Sequence, residues 1–350
     1  MGLVRALLNP FVGMIVLLSI AVTAATAQTA DIESLNSEVI RLYKAGKITE
    51  AIQIAKRSVA LGQAKLDPNH PVLGTNYANL ALLYRQQGRY AEAAPLYRRA
   101  LSIYEKALGP DHPRVGTSLN NLGELYRLQG RYRKAEPLYK RYVSIAVKAF
   151  GPDHPRVGNG LNNLAVLYRA QGRYGQAEPL YRRALSISIK VFGPEHPSTG
   201  TSLNNLALLY KAQGRYGKAE QFAKRALAIR EKTLGPHHPR VGTSLNNLAL
   251  IYQAQGRYAE AEPLLKRDLS ILEKAHGPDH PDVSTSLSNL AELYRDQGRY
   301  REAEPLYKRD LSISEKALGP DHPAAGAGVN NLALLYKTQG AFTEAEQLFK

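Results

Sequence analysis

The sequence predicts an all-α solenoid, a tandem array of helix-turn-helix hairpins, and three observations carry that prediction. The dipeptide His-Pro occurs at His70, His112, His154, His196, His238, His280 and His322, always 42 residues apart. A fixed period of this size marks a repeat array. Within each period, apolar residues recur at three- and four-residue steps in two runs separated by glycine, as in a pair of amphipathic helices. No segment alternates apolar and polar residues with a period of two, which disfavours strands and propeller blades.

The first element is a processing signal. Arg5 is the only charge before Asp31, an apolar run extends from Phe11 to Val22, and Ala25-Thr26-Ala27 supplies the small-x-small pattern of a signal-peptidase site. The run falls short of the ~20 apolar residues that a bilayer-spanning helix needs. Residues 1–27 are therefore expected to be a signal peptide, with the mature chain starting at Gln28 and exported to the periplasm or secreted. An uncleaved N-terminal membrane anchor is the alternative, since counting from Ala6 lengthens the run.

Residues 28–70 read as a degenerate capping repeat. Ser37 and Leu42 stand where later units carry asparagine and tyrosine, and terminal repeats of a solenoid are atypical. Residues 71–350 hold six full repeats and a partial last one. In the unit beginning at Pro197, Leu203, Leu206, Ala207 and Tyr210 mark one face of a first helix, and Gly214 can stop it by taking positive φ. Tyr216, Ala219, Ala223, Ala226 and Leu227 mark a second helix, which Gly235 and Pro236 end. Pro239 suits the first position of the next helix, where its missing N–H is no loss. Neither helix buries its stripe alone, so stacked units share one continuous core.

The tyrosines at 84, 126, 168, 210, 252, 294 and 336 hold one slot in all seven units. They are expected to pack in the core with their hydroxyls at its edge. Pro95, Pro137, Pro179, Pro263 and Pro305 fall about five residues into the second helices, where only the last orphan N–H groups are expected. The chain ends midway through a second helix, with Phe349 near an open end at which self-association is one possibility.

The pattern Asn-Leu-Ala-x-x-Tyr, Gly-x-Tyr, then Ala and an aromatic and Ala-Leu, resembles the tetratricopeptide repeat. Its 42-residue length and the segment GRYAEAEPLYKR are similar to the repeats of kinesin light chains. The resemblance runs from about residue 31 to 350. It implies a right-handed superhelix whose first helices line the concave surface, and it implies protein binding. A motor-cargo role, cytosolic in that family, sits poorly with an export signal.

Composition excludes several chemistries. The 350 residues include no cysteine, so disulfides, thiolate metal sites and cysteine nucleophiles are absent. The formal charge of +16, from 46 Lys and Arg against 30 Asp and Glu, favours acidic partners or anionic surfaces. No nucleic-acid motif is present, and specific nucleic-acid binding is not expected. Equivalent histidines in stacked helices lie at least ~8–10 Å apart, too far to share a metal ion. The Asp-His-Pro loops are instead expected to cap the following helices. An enzyme needs distinct groups converging in one pocket. Here every carboxylate, hydroxyl and imidazole reads as repeated or solvated, so no catalytic residue, metal or cofactor is expected.

The candidate binding residues form two columns on the first helices. Asn79, Asn121, Asn163, Asn205, Asn247, Asn289 and Asn331 make a carboxamide ladder. Six residues later come Arg85, Arg127, Arg169, Lys211, Gln253, Arg295 and Lys337. In the tetratricopeptide family such asparagines often bond the backbone of a bound peptide. A carboxamide donates and accepts, so it matches a peptide unit without reading its side chain. The ladder could equally bond within its own repeat or the next, since buried polar groups usually serve structure. The basic row would select acidic sequence, with Glu178, Glu220 and Glu262 balancing part of it. The resulting expectation is a non-enzymatic scaffold holding an extended, acidic peptide segment. The alternatives are a charge-driven binder of a polyanion or envelope surface, and a self-assembling structural solenoid. N-terminal sequencing of the exported protein is expected to begin at Gln28; a start at Met1 would refute cleavage.

Overall fold

The computed structural model describes residues 29–348, so the signal segment 1–27, its cleavage site and the end at Phe349 lie outside the described residues. The described residues are all-α, with no strand among them. The helices are α1 (29–44), α2 (Ile48–Lys65), α3 (Pro71–Gln86), α4 (Tyr90–Leu108), α5 (Pro113–Leu128), α6 (Tyr132–Phe150), α7 (Pro155–Ala170) and α8 (Tyr174–Phe192). They continue as α9 (Pro197–Ala212), α10 (Tyr216–Leu234), α11 (Pro239–Gln253), α12 (Tyr258–His276), α13 (Pro281–Asp296), α14 (Tyr300–Leu318), α15 (Pro323–Gln339) and α16 (Phe342–Gln347). Odd-numbered helices are the first, and even-numbered the second, of each hairpin.

The chain forms two compact units, divided between Leu125 and Tyr126 within α5. In the first unit α3 packs on α4 and on the preceding α2. In the second, α7 pairs with α8, α9 with α10, α11 with α12 and α13 with α14, and each second helix also packs on the next first helix.

Local chemistry explains the boundaries. Every His-Pro histidine is an N-cap residue whose Nδ1 accepts the N–H two residues on, at 3.1 Å in His154, His196, His238, His280 and His322. The proline then takes N1, where it forfeits nothing. The loop aspartates behave differently from expectation. Asp153 does not cap; it pairs with Arg183 at 2.5 Å and with Lys190. Gly172 ends α7 with φ +71°, and the next N–H, of Arg173, returns to Tyr168 O at 2.8 Å. This six-to-one closure requires a left-handed residue, hence glycine.

The helix prolines need a correction. The Ala93 N–H already bonds Arg89 O at 3.1 Å, so Pro95 lies beyond the orphan groups and leaves the Ala91 carbonyl without its helical donor. The helix nevertheless runs through it to Leu108. Gln221 in α10 shows that the proline is dispensable.

The core is small against large. Ala207 and Ala219 are fully buried and let α9 and α10 approach, while Tyr210, at 1 % exposure, fills the space beside them. From Tyr168 onward the tyrosine hydroxyls reach the core edge, where each meets a glutamate of the preceding second helix. Tyr168 donates to Glu136 at 2.9 Å, Tyr210 to Glu178 at 3.0 Å, Tyr252 to Glu220 at 3.3 Å, Tyr294 to Glu262 at 3.2 Å and Tyr336 to Glu304 at 3.1 Å. The arginine of Gly-Arg-Tyr completes the cluster. Arg173, Arg257 and Arg299 reach the same glutamates at 2.6–2.7 Å, and Arg215 lies 3.6 Å from Glu178. Each guanidinium also covers its tyrosine ring, 4.1–4.7 Å from the centroid, a favourable cation–π stack. In the first unit Ile52 and Ala94 hold the glutamate column, and that clamp is absent there.

The Arg173 bond to Glu136, and the Arg299 bond to Glu262, hold those carboxyls down at about 2. A depressed carboxyl adds stability above its ordinary range and loses it as pH falls toward the folded value. Replacing Glu262 by Ala is expected to cost about 1–2 kcal/mol, because it removes the acceptor of the Tyr294 hydroxyl and one partner of Arg299, which keeps Glu302 and Gln297, at a partly solvated site. Thermal melts followed by circular dichroism check this, and the deficit should shrink as pH is lowered from about 5 to about 2.

Candidate functional site

In the second unit successive first helices touch one another, α7 on α9, α9 on α11, α11 on α13 and α13 on α15. The second helices stand farther apart. That asymmetry curves the second unit with its first helices on the inner side, which is where the second-unit members of both candidate columns lie.

The carboxamide ladder is built into the joints between hairpins. Asn205 donates to Asn162 at 2.6 Å, Asn289 to Asn246 at 2.8 Å and Asn331 to Ser288 at 3.0 Å. In the first unit Asn79 donates to Asn36 at 3.3 Å. Each bond spans 43 residues, from one first helix to the preceding one. Asn247 is buried, and Asn204, its counterpart 43 residues earlier, keeps an unpartnered Oδ1. Asn121 stands 43 residues after Ala78, which offers no acceptor. Asn163 is half-buried. The amide N–H groups of four ladder members therefore hold hairpins together.

The basic row sits toward the other end of the same helices, half-buried except for exposed Lys337. Its members rest on a second-helix column. Arg85 lies beside Tyr97, Arg169 beside Tyr181 and Arg295 beside Tyr307. Burial pushes the Tyr97 and Tyr307 phenols up to about 12, opposed by those arginines. Where Ala223 and Leu265 replace the tyrosine, Lys211 and Gln253 replace the arginine. Burial lowers the Lys211 pKa, Glu292 opposes that and the charge of Arg169 adds to it. Arg127 also acts on Tyr181. Arg295, by contrast, is neutralised by Glu292 at 3.3 Å and Asp296 at 3.0 Å, and Gln253 donates to Asp296 at 2.7 Å. Glu178, Glu220 and Glu262 do not balance the row, as the sequence suggested; they belong to the tyrosine clamps. The row is cationic at Arg169 and Lys211 and compensated at Arg295.

Between the hairpins of the second unit lie polar clefts, each walled by a first helix, its second helix and the next first helix. Here the repeat symmetry breaks. The cleft of α7, α8 and α9, about 280 Å³, is lined by Asn159, Asn162, Ser188, Thr201, Ser202 and Asn205. One repeat on, Arg230 is 4 % exposed and fills the equivalent space. Its guanidinium donates to Ser244 at 2.8 Å, Thr201 at 3.0 Å and the Arg240 carbonyl at 3.0 Å. In the next cleft Asp268 is 2 % exposed, and burial pushes its carboxyl up to about 6. In the last, Asp310 accepts from Ser284, which also bonds Ser314 at 2.8 Å.

Arg230, Asp268 and Asp310 correct the reading that every charge is repeated or solvated. Their signal was present in the columns, as Ala226 gives way to Asp268 and Ser188 to Arg230 and then Leu272. Among the described residues no group of three or more His, Asp or Glu is placed to hold a metal ion, and no helix is long and apolar enough to cross a membrane.

Comparison with known proteins agrees with this architecture. The tetratricopeptide repeat model matches in seven overlapping stretches, 38–106, 79–146, 139–190, 156–232, 224–274, 240–316 and 289–350. The chain belongs to the tetratricopeptide repeat family, whose fold serves as a protein-interaction scaffold and is typically non-enzymatic. It is similar to a putative kinesin light chain with nearly identical TPR-like repeats from Podosopora anserina, at 32 % identity over 59 % of this chain and 97 % of that one, with a TM-score of 0.47. It is also similar to BtubC (BKLC) of P. vanneervenii, at 26 % identity over 68 % and 93 % of the two chains, with a TM-score of 0.49. The apo form of RapI shares the fold, with 14 % identity, coverage of 82 % and 98 %, and a TM-score of 0.62. No curated protein matches the chain.

Asp268 carries a pH dependence. Its folded pKa, about 6, exceeds the ordinary 3.8, so the folded state holds the proton longer and stability falls as pH rises from about 4 to about 6. Asp268→Asn is expected to remove that slope, up to about 3 kcal/mol at 1.36 kcal/mol per pKa unit. Urea titrations at pH 4.5 and 7 measure it.

Proposed function

We propose that this chain is an exported scaffold that holds an extended, acidic segment of another protein against the first helices of its second unit. The observation that carries the reading is the cationic cluster of Arg169 and Lys211. Burial and the neighbouring Arg169 both disfavour the charged form of Lys211, a strain that an incoming carboxylate relieves. Arg169 offers planar, charge-assisted donors to that carboxylate. Asn205 supports the site by fixing the spacing of α7 and α9, which present these cations, through its bond to Asn162. That amide donor is engaged between hairpins, so peptide selection falls to the basic residues.

Export rests on the N-terminal pattern of Arg5, the apolar run and Ala25-Thr26-Ala27. The partner then lies outside the cytoplasm, in the periplasm or beyond the cell.

Fluorescence anisotropy with a labelled peptide rich in Asp and Glu tests the proposal. The double substitution Arg169→Glu and Lys211→Glu should weaken binding at least tenfold, about 1.4 kcal/mol, with helicity unchanged. Lys211→Gln should give a smaller loss. Heparin that competes as well as the peptide, together with complete loss of binding at high salt, would point instead to diffuse polyanion attraction.

A further inference from the structure

The cleft walled by α11, α12 and α13 has a volume of about 330 Å³, and its lining includes Thr243, Asn246, Asp268, Leu272, Thr285 and Ser286. Two exposed wall residues, Arg240 and Asp282, carry opposite charges. One repeat earlier, the same positions form a finished guanidinium site occupied by the chain's own Arg230. Thr201, Ser244 and the Arg240 carbonyl accept its N–H groups. Their equivalents 42 residues on are Thr243, Ser286 and the Asp282 carbonyl. Thr201 donates its own hydrogen to Pro197 O at 3.2 Å, which leaves its lone pairs for Arg230. Thr243 donates in the same way to Pro239 O at 3.4 Å, and its lone pairs are left over.

Two substitutions separate the sites. Leu272 stands in the place of Arg230, so the cation is gone and the space is open. Asp268 stands in the place of Ala226, so a carboxylate has been added. Asp268 Oδ2 accepts from Ser286 at 2.8 Å, but Oδ1 has no partner. That oxygen lies over Gly242, where a Cβ would come within 2.5 Å of it. In the following cleft Ser284 replaces this glycine and supplies Asp310 with a donor. Asp268 is thus a buried anion held in a cleft whose acceptors have already been shaped around a guanidinium, and a buried unpaired charge is costly until it meets its opposite.

We infer that this cleft is a receptor pocket for a guanidinium group, most simply an arginine side chain of a bound protein, with Asp268 as its counter-ion and Thr243 and Ser286 as its acceptors. Its size suits a single side chain, at the low end of small-ligand pockets. The pocket is separate from the cationic cluster of the proposed function and does not depend on it. A free guanidinium compound shares the same chemistry.

Isothermal titration of the full chain with a blocked Gly-Arg-Gly peptide and its citrulline counterpart tests the pocket. The arginine peptide should bind at least tenfold more tightly than the citrulline peptide. Asp268→Asn should abolish the difference, and so should Leu272→Arg, which restores the self-filled state of the preceding cleft. Helicity by circular dichroism establishes that each variant folds; if one does not, the other carries the test. Agmatine binding as tightly as the peptide would support the pocket and assign it to a free guanidinium compound. Equal binding of the two peptides to the parent chain, or undiminished discrimination in both variants, would overturn the inference.

Discussion

The tyrosine–glutamate–arginine clamp is the constraint on which the second unit depends. A helical hairpin of this size cannot bury its apolar stripe by itself, so every hairpin is stable only against a neighbour. Apolar packing supplies most of the attraction but little directionality. The clamp supplies the register. One glutamate on a second helix collects the hydroxyl of a tyrosine and the guanidinium of an arginine, both from the next hairpin, as Glu262 does with Tyr294 and Arg299. Because the arginine also lies on the tyrosine ring, displacing any member disturbs the other two. The bonds between first helices through Asn205, Asn289 and Asn331 set the spacing on the inner face in the same manner.

This division of labour explains what the inner surface can offer a partner. Side chains that hold register are spent on the fold, and what is left for recognition lies where the columns vary. Arg169 and Lys211 lie close enough for the arginine's charge to disfavour the lysine's, whereas Arg295 is tied to Glu292 and Asp296. The clefts differ more sharply still, being lined by hydroxyls and carboxamides beside Ser188, self-filled at Arg230, anionic at Asp268 and internally satisfied at Asp310. A regular scaffold thus presents an irregular sequence of sites.

The fold was legible in the residues because its determinants recur. Histidine before proline, glycine at positive φ and the small–large alternation of Ala207, Ala219 and Tyr210 each recur with the 42-residue period, and each has a local physical meaning. The tyrosine column was legible as core, but its glutamate partner was not, since the two are 32 residues apart and a contact across hairpins has no local signature. A separation of 43 residues likewise hid the use of the ladder asparagines, which spacing alone left undecided between ligand and neighbour. Arg230 and Asp268 were missed for the opposite reason. Attention to what repeats passes over residues that occur once or twice, and a charge in a helix reads as solvated until its neighbours are placed around it.

The clamp and ladder bonds join positions separated by fixed offsets, and those offsets take no account of which hairpin is involved. Removing or duplicating one 42-residue block within the second unit would bring a new tyrosine and arginine to the same glutamate without altering either joint. The coding sequence can therefore lengthen or shorten by whole hairpins through unequal recombination and still encode a chain that stacks. Each such event would shuffle the order of open, self-filled and anionic clefts along the inner face, so that new recognition surfaces arise from rearranged units before any residue is substituted.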